Sequence, residues 1–346
     1  MSQLTRFIML PALIGALLGI GIILFNTLSN SKPGFASAVA VAAPAVVNIH
    51  TRTVQQANPI CRFYKQLCQR FGNNAQIKRS LGSGVILQSD GHILTNEHVV
   101  KGAHEILVMF ANGQIANASV IGSDPHTDLA VIKVTAENLP VVPLAEADAE
   151  VGDIALAIGN PFGLGHSVSQ GIISAFSRAA ITDDRPYDDF IQTDAAISPG
   201  NSGGALVDYR GRLLGINTMI VSQSGGSEGI GFAIPTDIAT DVLAQIIAQG
   251  RVIRGWLGVV LGPNFDNLEV GGLRVGRVTN GGPAHLAGIR PGDVLLSINQ
   301  VQAIVPAEIT DVIAKATPGS ELQIEVLRGT QRFRATAITG ELPDLP

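Results

Sequence analysis

Apolar residues along the middle of this chain come in short runs broken by turn formers. Runs at 46–49, 84–87, 92–95, 105–110, 115–121 and 129–134 are rich in Val, Ile and Leu, and Ser89-Asp90-Gly91, Asn112-Gly113 and Asp124-Pro125 separate them. A second series follows at 154–158, 168–174, 190–193, 205–207, 213–221 and 231–234. Short β-type runs recurring roughly every 8–12 residues, with no long amphipathic helix among them, predict β-barrels or sandwiches. Two series of six strands predict two such units. The period then changes: after Pro235-Thr236-Asp237, Ile238, Val242 and Ile246 repeat at helical spacing as far as Gly250, which predicts one closing helix. Farther on, glycine-flanked loops precede short apolar strands at 255–259 and 282–299. Ile309, Val312, Ile313 and Ala316 share one face of a helix predicted over 306–316.

The N-terminus has a different pattern. Residues 7–25 form an uncharged run of 19, about 28 Å as a helix against a hydrocarbon core of roughly 30 Å. A cleavable signal peptide has an apolar core of only about 7–15 residues, so an uncleaved signal anchor is expected, although Ala36-Ser37-Ala38 and Ala38-Val39-Ala40 have the look of cleavage sites. With Arg6 inside, everything from about residue 30 onward faces the exported side, which in a bacterium is the periplasm. The expected organisation is an anchor and linker at 1–34, a first folded domain at 35–250 and a second at 251–346.

Composition narrows the function. The 346 residues exceed the usual size of a single domain, and 46% hydrophobic against 15% charged residues supply ample core and argue against disorder. A net charge of −5 carries no basic signal, so no nucleic-acid partner is expected. The two cysteines, Cys61 and Cys68, lie in a polar, basic and aromatic stretch at 55–79 that reads as a surface loop. They pair if the intervening segment is irregular, and are held roughly 10 Å apart along the axis if it is helical; both alternatives stand. No histidine cluster accompanies them, so neither a metal nor a cofactor is expected.

The chemistry is concentrated in Thr193-Asp194-Ala195-Ala196-Ile197-Ser198-Pro199-Gly200-Asn201-Ser202-Gly203-Gly204-Ala205-Leu206. A serine between glycines suits a nucleophile on a tight turn, because glycine lets backbone N–H groups approach the reacting carbonyl. A serine hydroxyl needs a base, and the base a carboxylate to orient it. His98, in Thr95-Asn96-Glu97-His98-Val99-Val100, and Asp128, in Thr127-Asp128-Leu129-Ala130-Val131, supply both in strand-like surroundings. The order His, Asp, Ser is that of chymotrypsin. The oxyanion segment is Gly200, Asn201 and Ser202, with the N–H groups of Gly200 and Ser202 as donors. Asp194 reads as a structural carboxylate tying the loop. No acidic residue in 214–219 suggests a pocket for a basic side chain, so a small or aliphatic residue is expected before the cut.

These three boxes, in this order, resemble those of the HtrA (Do-like, DegP/DegS) serine proteases. Gly255-Trp256-Leu257-Gly258-Val259 and Gly282-Pro283-Ala284-His285-Leu286-Ala287-Gly288-Ile289-Arg290-Pro291-Gly292-Asp293 resemble the PDZ domains of that family. The resemblance covers roughly residues 36–342. It implies a mainly β chain: a chymotrypsin-like double β-barrel, then one PDZ domain, behind the N-terminal transmembrane helix. One PDZ domain with an uncleaved anchor is more similar to the DegS type than to the two-PDZ DegP type. In the PDZ domain, Gly255, Trp256, Leu257, Gly258 and Val259 would take a peptide's terminal carboxylate and strand, with Ile309, Val312 and Ile313 as the other groove wall. Packing alone is an equal reading for Trp256. Arg178 matches the start of the family's signal-receiving loop, with an ordinary surface loop the equal alternative.

The family resemblance further implies a homotrimer in the bacterial inner membrane with its catalytic and PDZ domains in the periplasm. C-terminal peptides of misfolded envelope proteins would activate it to cleave a membrane-bound anti-sigma factor. The alternatives are a general quality-control protease and a peptide-binding scaffold. Ser198 departs from the asparagine that many relatives carry, which bears on how far the oxyanion loop is pre-formed.

Overall fold

The computed structural model describes Gly15, Gly19 and residues 34–55, 76–145, 149–160, 165–176, 190–220, 229–263 and 271–343. The chain divides into a short unit, Met1–Ser37, and a body, Ala38–Pro346. The run at 7–25, apart from Gly15 and Gly19, lies outside the described residues, as do Cys61, Cys68 and Arg178. Among the described residues no helix is long and apolar enough to cross a membrane.

The first regular element is absent from the apolar pattern. Helix α1 (Ala36–Ala42) is built almost wholly of alanine and valine, and Ala38 and Ala42, four apart on one face, are buried. Strands β1 (Val46–Gln55), β2 (Gln76–Ile86), β3 (His92–Asn96), β4 (Glu105–Met109), β5 (Ile115–Asp124) and β6 (Leu129–Val134) then close a barrel in the order β1-β2-β3-β6-β5-β4. Strands β7 (Ile154–Gly159), β8 (Ser167–Ala175), β9 (Ile191–Thr193), β10 (Ala205–Val207), β11 (Leu213–Ile220) and β12 (Gly231–Pro235) close a second, β10-β11-β12-β9-β8-β7. Taken from its own first strand, the second barrel repeats the connectivity of the first.

A helix four residues long, α2 (Glu97–Val100), follows β3 and carries His98, where strand-like surroundings were expected. It docks by the buried Val99 and Val100, which leaves the imidazole before them partly exposed. Helix α3 (Thr236–Gln249) buries Ala239, Val242, Leu243 and Ile246, an i, i+3, i+4, i+7 stripe. Gly250 ends it at φ 78, a left-handed conformation that glycine adopts without strain.

The C-terminal domain has a sheet ordered β14 (Val259–Pro263), β15 (Leu273–Val278), β16 (Val294–Ile298), β18 (Glu321–Arg328) and β19 (Gln331–Ile338), with β17 (Val301–Gln302) paired to β16. Strands β13 (Gly255–Trp256) and β20 (Gly340–Glu341) form a separate pair. Helices α4 (Pro283–Leu286) and α5 (Pro306–Lys315) complete it. Leu257, Val275, Leu295, Ile309, Ile324 and Val326 belong to its core. Arg328 grips the buried Asp293 through two nitrogens, at 2.7 and 2.8 Å, and so fixes the turn ahead of β16.

The segments entering and leaving this domain both return to the first barrel. Arg254 forms a bidentate pair with Asp124 at 2.8 and 2.7 Å, with only 11% and 3% of the two side chains exposed. The ring nitrogen Nε2 of His126 lies 3.2 Å from the carbonyl of Pro343. Arg254→Ala would take the guanidinium from a buried carboxylate and leave it the Thr127 hydroxyl and the His126 N–H, and is expected to cost about 3 kcal/mol, since breaking one side of a buried pair costs more than the pair contributes. Urea unfolding followed by far-ultraviolet circular dichroism reads this directly; a loss below about 1 kcal/mol, typical of an exposed pair, would contradict it.

Candidate active site

The turn between β5 and β6 brings a carboxylate under the helix that carries His98. Asp128 takes a left-handed backbone, φ 57, unusual for any residue but glycine. Such a conformation costs of order 1–3 kcal/mol and persists only where neighbours over-determine it. Here they do: the Asp128 carbonyl accepts from Glu97 N–H at 2.9 Å and from the Asn96 side-chain amide at 3.0 Å. Asn96, at the end of β3, is fully buried, so the strand end, the helix start and the turn form one unit.

Both carboxylate oxygens of Asp128 are also occupied. Oδ1 accepts from the backbone N–H of His98 at 3.0 Å, and Oδ2 from Nδ1 of the same residue at 2.7 Å. Because a carboxylate only accepts, Nδ1 carries a proton, so in the neutral ring the lone pair sits on Nε2. The His98 side chain is 47% exposed, so that lone pair is reachable, while only 2% of the Asp128 side chain is exposed.

A third donor comes from the second barrel. Thr218 Oγ1 donates to Asp128 Oδ2 at 2.8 Å. Strand β11 has a register shift between Asn217 and Met219, a bulge at Thr218. A bulge re-aims a side chain, here out of the strand's alternation and toward the first barrel. Thr218 is not among the site residues expected from the sequence. The only sign of it there was a polar pair, Asn217-Thr218, inside an otherwise apolar strand, and both prove buried.

Ser202 sits in the loop before β10, beside Thr218. Its Oγ donates to the Thr218 carbonyl at 3.0 Å, and among the described residues no hydrogen bond joins it to His98. Gly203 has φ 82, and a Cβ there would lie 2.1 Å from the Ser83 carbonyl, so no side chain fits where the loop touches β2. Asn201 N–H donates to Ser198 O at 2.9 Å, Gly203 N–H to Asn217 O at 2.8 Å and Gly204 N–H to Asn201 O at 2.9 Å. Among the described residues, the N–H groups of Gly200 and Ser202 have no acceptor. Asn201, included in the expected oxyanion segment, is therefore not a donor: its amide closes the turn. Asp194 accepts from Ile172 N–H at 2.7 Å, which anchors the approach to this loop on β8.

The peptide groove expected on the C-terminal domain is partly corrected. Ile309 and Ile313 are 0% and 6% exposed and belong to the domain core, because residues four apart on α5 turn inward together. Val312 is half-buried, packing at the edge of that core. In the loop, Leu257 is buried, while the N–H groups of Leu257 and Gly258 have no acceptor among the described residues. Trp256 pairs with Gly340 across β13 and β20, and its indole lies where a Cβ on Gly258, Gly282 or Gly340 would touch it at 3.2 Å. Packing among glycines accounts for this tryptophan.

A family model described as a trypsin-like peptidase domain matches residues 82–216, and one described as a PDZ domain matches residues 255–338. The chain is 42% identical over 336 residues to the serine endoprotease DegS of Haemophilus influenzae, covering 93% of this chain and 95% of that protein. It is 40% identical over 348 residues to a probable periplasmic serine endoprotease, DegP-like, of Halomonas elongata, covering 92% of this chain and 73% of that protein. Among solved structures, the HtrA-type protease AlgW with a tripeptide has a TM-score of 0.80 and 44% identity, covering 90% of this chain and 99% of that one.

Proposed function

This chain belongs to the HtrA-type serine endoproteases, and from that premise we propose a peptide-gated protease held in the bacterial inner membrane by residues 7–25, its catalytic and PDZ domains in the periplasm. The observation that carries the catalytic reading is the 2.7 Å bond from His98 Nδ1 to Asp128, made beside a serine in a loop where two N–H groups have no acceptor among the described residues. The names of the relatives support the periplasmic location.

The reaction runs through an acyl-enzyme. The Ser202 hydroxyl turns from the Thr218 carbonyl to His98 Nε2, gives up its proton and attacks the scissile carbonyl. Asp128 holds the ring's tautomer and stabilises its charged form. The N–H groups of Gly200 and Ser202 receive the developing oxyanion, each contributing about 3–4 kcal/mol. The imidazolium then protonates the leaving amine, and water repeats the sequence on the ester.

The gating part rests on the N–H groups of Leu257 and Gly258, which have no acceptor among the described residues and suit a C-terminal carboxylate, and on the solved relative with a tripeptide. Its physiological form would be a trimer that cleaves a membrane-bound anti-sigma factor when the C-termini of misfolded envelope proteins dock. A peptide ending in a free apolar carboxylate is expected to raise the rate on a folded substrate by about 5–150-fold, the range of ordinary coupling energies. The same peptide amidated at its C-terminus should do nothing. Equal rates with and without the free acid would remove gating, and efficient digestion of denatured casein without peptide would favour a quality-control protease.

A further inference from the structure

We propose that Ser83, a residue of the first barrel, is the positioning residue that sets the oxyanion loop of the second. This rests on the reading of Ser202 as nucleophile and goes beyond it. Ser83 lies in β2 and is 0% exposed. Its N–H and its hydroxyl are spent on the seam between the barrels, while its carbonyl is held within the first barrel. Its N–H donates to the Ser202 carbonyl at 2.8 Å, and its own carbonyl accepts from Thr95 Oγ1 at 2.7 Å, three residues before His98. Its hydroxyl lies 2.7 Å from the Gly200 carbonyl and 3.0 Å from the backbone nitrogen of Asn160.

The directions of these bonds are settled by chemistry. A backbone N–H can only donate, so Ser83 Oγ accepts from Asn160. The hydroxyl has one proton, and that proton must go to the Gly200 carbonyl.

The consequence lies in the peptide planes. Ser83 holds the carbonyl of the 200–201 plane through its side chain and that of the 202–203 plane through its backbone. The opposite edges of both planes point where this requires, Asn201 N–H to Ser198 and Gly203 N–H to Asn217. The plane between them, 201–202, has its carbonyl turned back onto Gly204 N–H. Its other edge is the N–H of Ser202, which is left directed away from the loop's own acceptors. One residue thus clamps two alternate planes and brackets the plane that carries an oxyanion donor. The contact at Gly203, where no side chain fits against Ser83, keeps the clamp at this distance.

A hydroxyl that orients donors should matter to the transition state and not to substrate binding. Removing an oxyanion donor outright lowers kcat by 10²–10³-fold, so loosening one through Ser83→Ala is expected to lower kcat by about 10–100-fold, with KM within about twofold. The deciding readout is a peptide boronate, whose tetrahedral adduct on Ser202 uses the same donors. Its affinity should fall by the same factor as kcat, while affinity for the PDZ peptide and the urea midpoint of the C-terminal domain stay as in the wild type. Unchanged kcat, or a fall in kcat with boronate bound as tightly as before, overturns the proposal. Should Ser83→Ala fail to fold, Ser83→Cys carries the test, since a thiol still donates weakly: its smaller loss in kcat must again be matched in boronate affinity, and a mismatch overturns the proposal. Wild-type enzyme that forms no boronate adduct dependent on Ser202 would instead refute the nucleophile assignment.

Discussion

Ser202→Ala is expected to lower kcat by about 10⁶-fold and leave KM nearly unchanged, because a triad nucleophile acts only in the chemical step. The structural cost of this change is small. Among the described residues the hydroxyl makes one hydrogen bond, to the Thr218 carbonyl, and the residue is only part-buried. Folding and peptide binding should therefore survive, which separates an enzyme from a scaffold in one variant. Progress curves on a folded substrate with activating peptide, run over days for the variant, measure the residual rate. Hydrolysis at the wild-type rate would discard the assignment of this site.

Asp128→Asn is expected to lower kcat by about 10⁴-fold with the fold intact, and the hydrogen bonds say why. The carboxylate accepts three donors through two oxygens: His98 N–H on Oδ1, and His98 Nδ1 with Thr218 Oγ1 on Oδ2. An amide has one oxygen. Placing that oxygen on the His98 backbone N–H sets the NH₂ group against the ring. The ring must then accept at Nδ1 and carry its proton on Nε2, the wrong tautomer for a base. Steady-state kinetics with activating peptide check this, together with a double variant: Ser202→Ala with Asp128→Asn should be no slower than Ser202→Ala alone, since residues of one catalytic unit are not additive. A loss of less than tenfold in the single variant would mean that Asp128 does not set the tautomer.

Twelve barrel strands and helix α3 were legible because each satisfies a strong local rule: β-branched runs between turns, a helical repeat closed by Gly250. Three boxes were legible because catalysis restricts residue types. What escaped depends on groups distant in the chain. Helix α1 was hidden because alanine and valine suit either structure, and burial of Ala38 and Ala42 decides it. Thr218 reaches Asp128 only through a bulge, which pattern cannot locate. Ser83 reads as a small residue between two glycines until its partners, 77 and 117 positions away, are placed. The Asp124–Arg254 pair joins residues 130 apart. Ile309 and Ile313 were identified as apolar on the right helix, but an apolar face can serve a groove or a core, and the core takes those two.

The central claim is that one serine, made nucleophilic by one histidine across the seam between two barrels, does the chemistry. A fluorophosphonate tests it most directly, because it esterifies only an activated serine hydroxyl. With activating peptide present, the account predicts a single adduct, found by peptide mass mapping on Ser202, and its loss when His98 is replaced by alanine. An adduct on any other residue, or labelling of Ser202 at the same rate without His98, would contradict it.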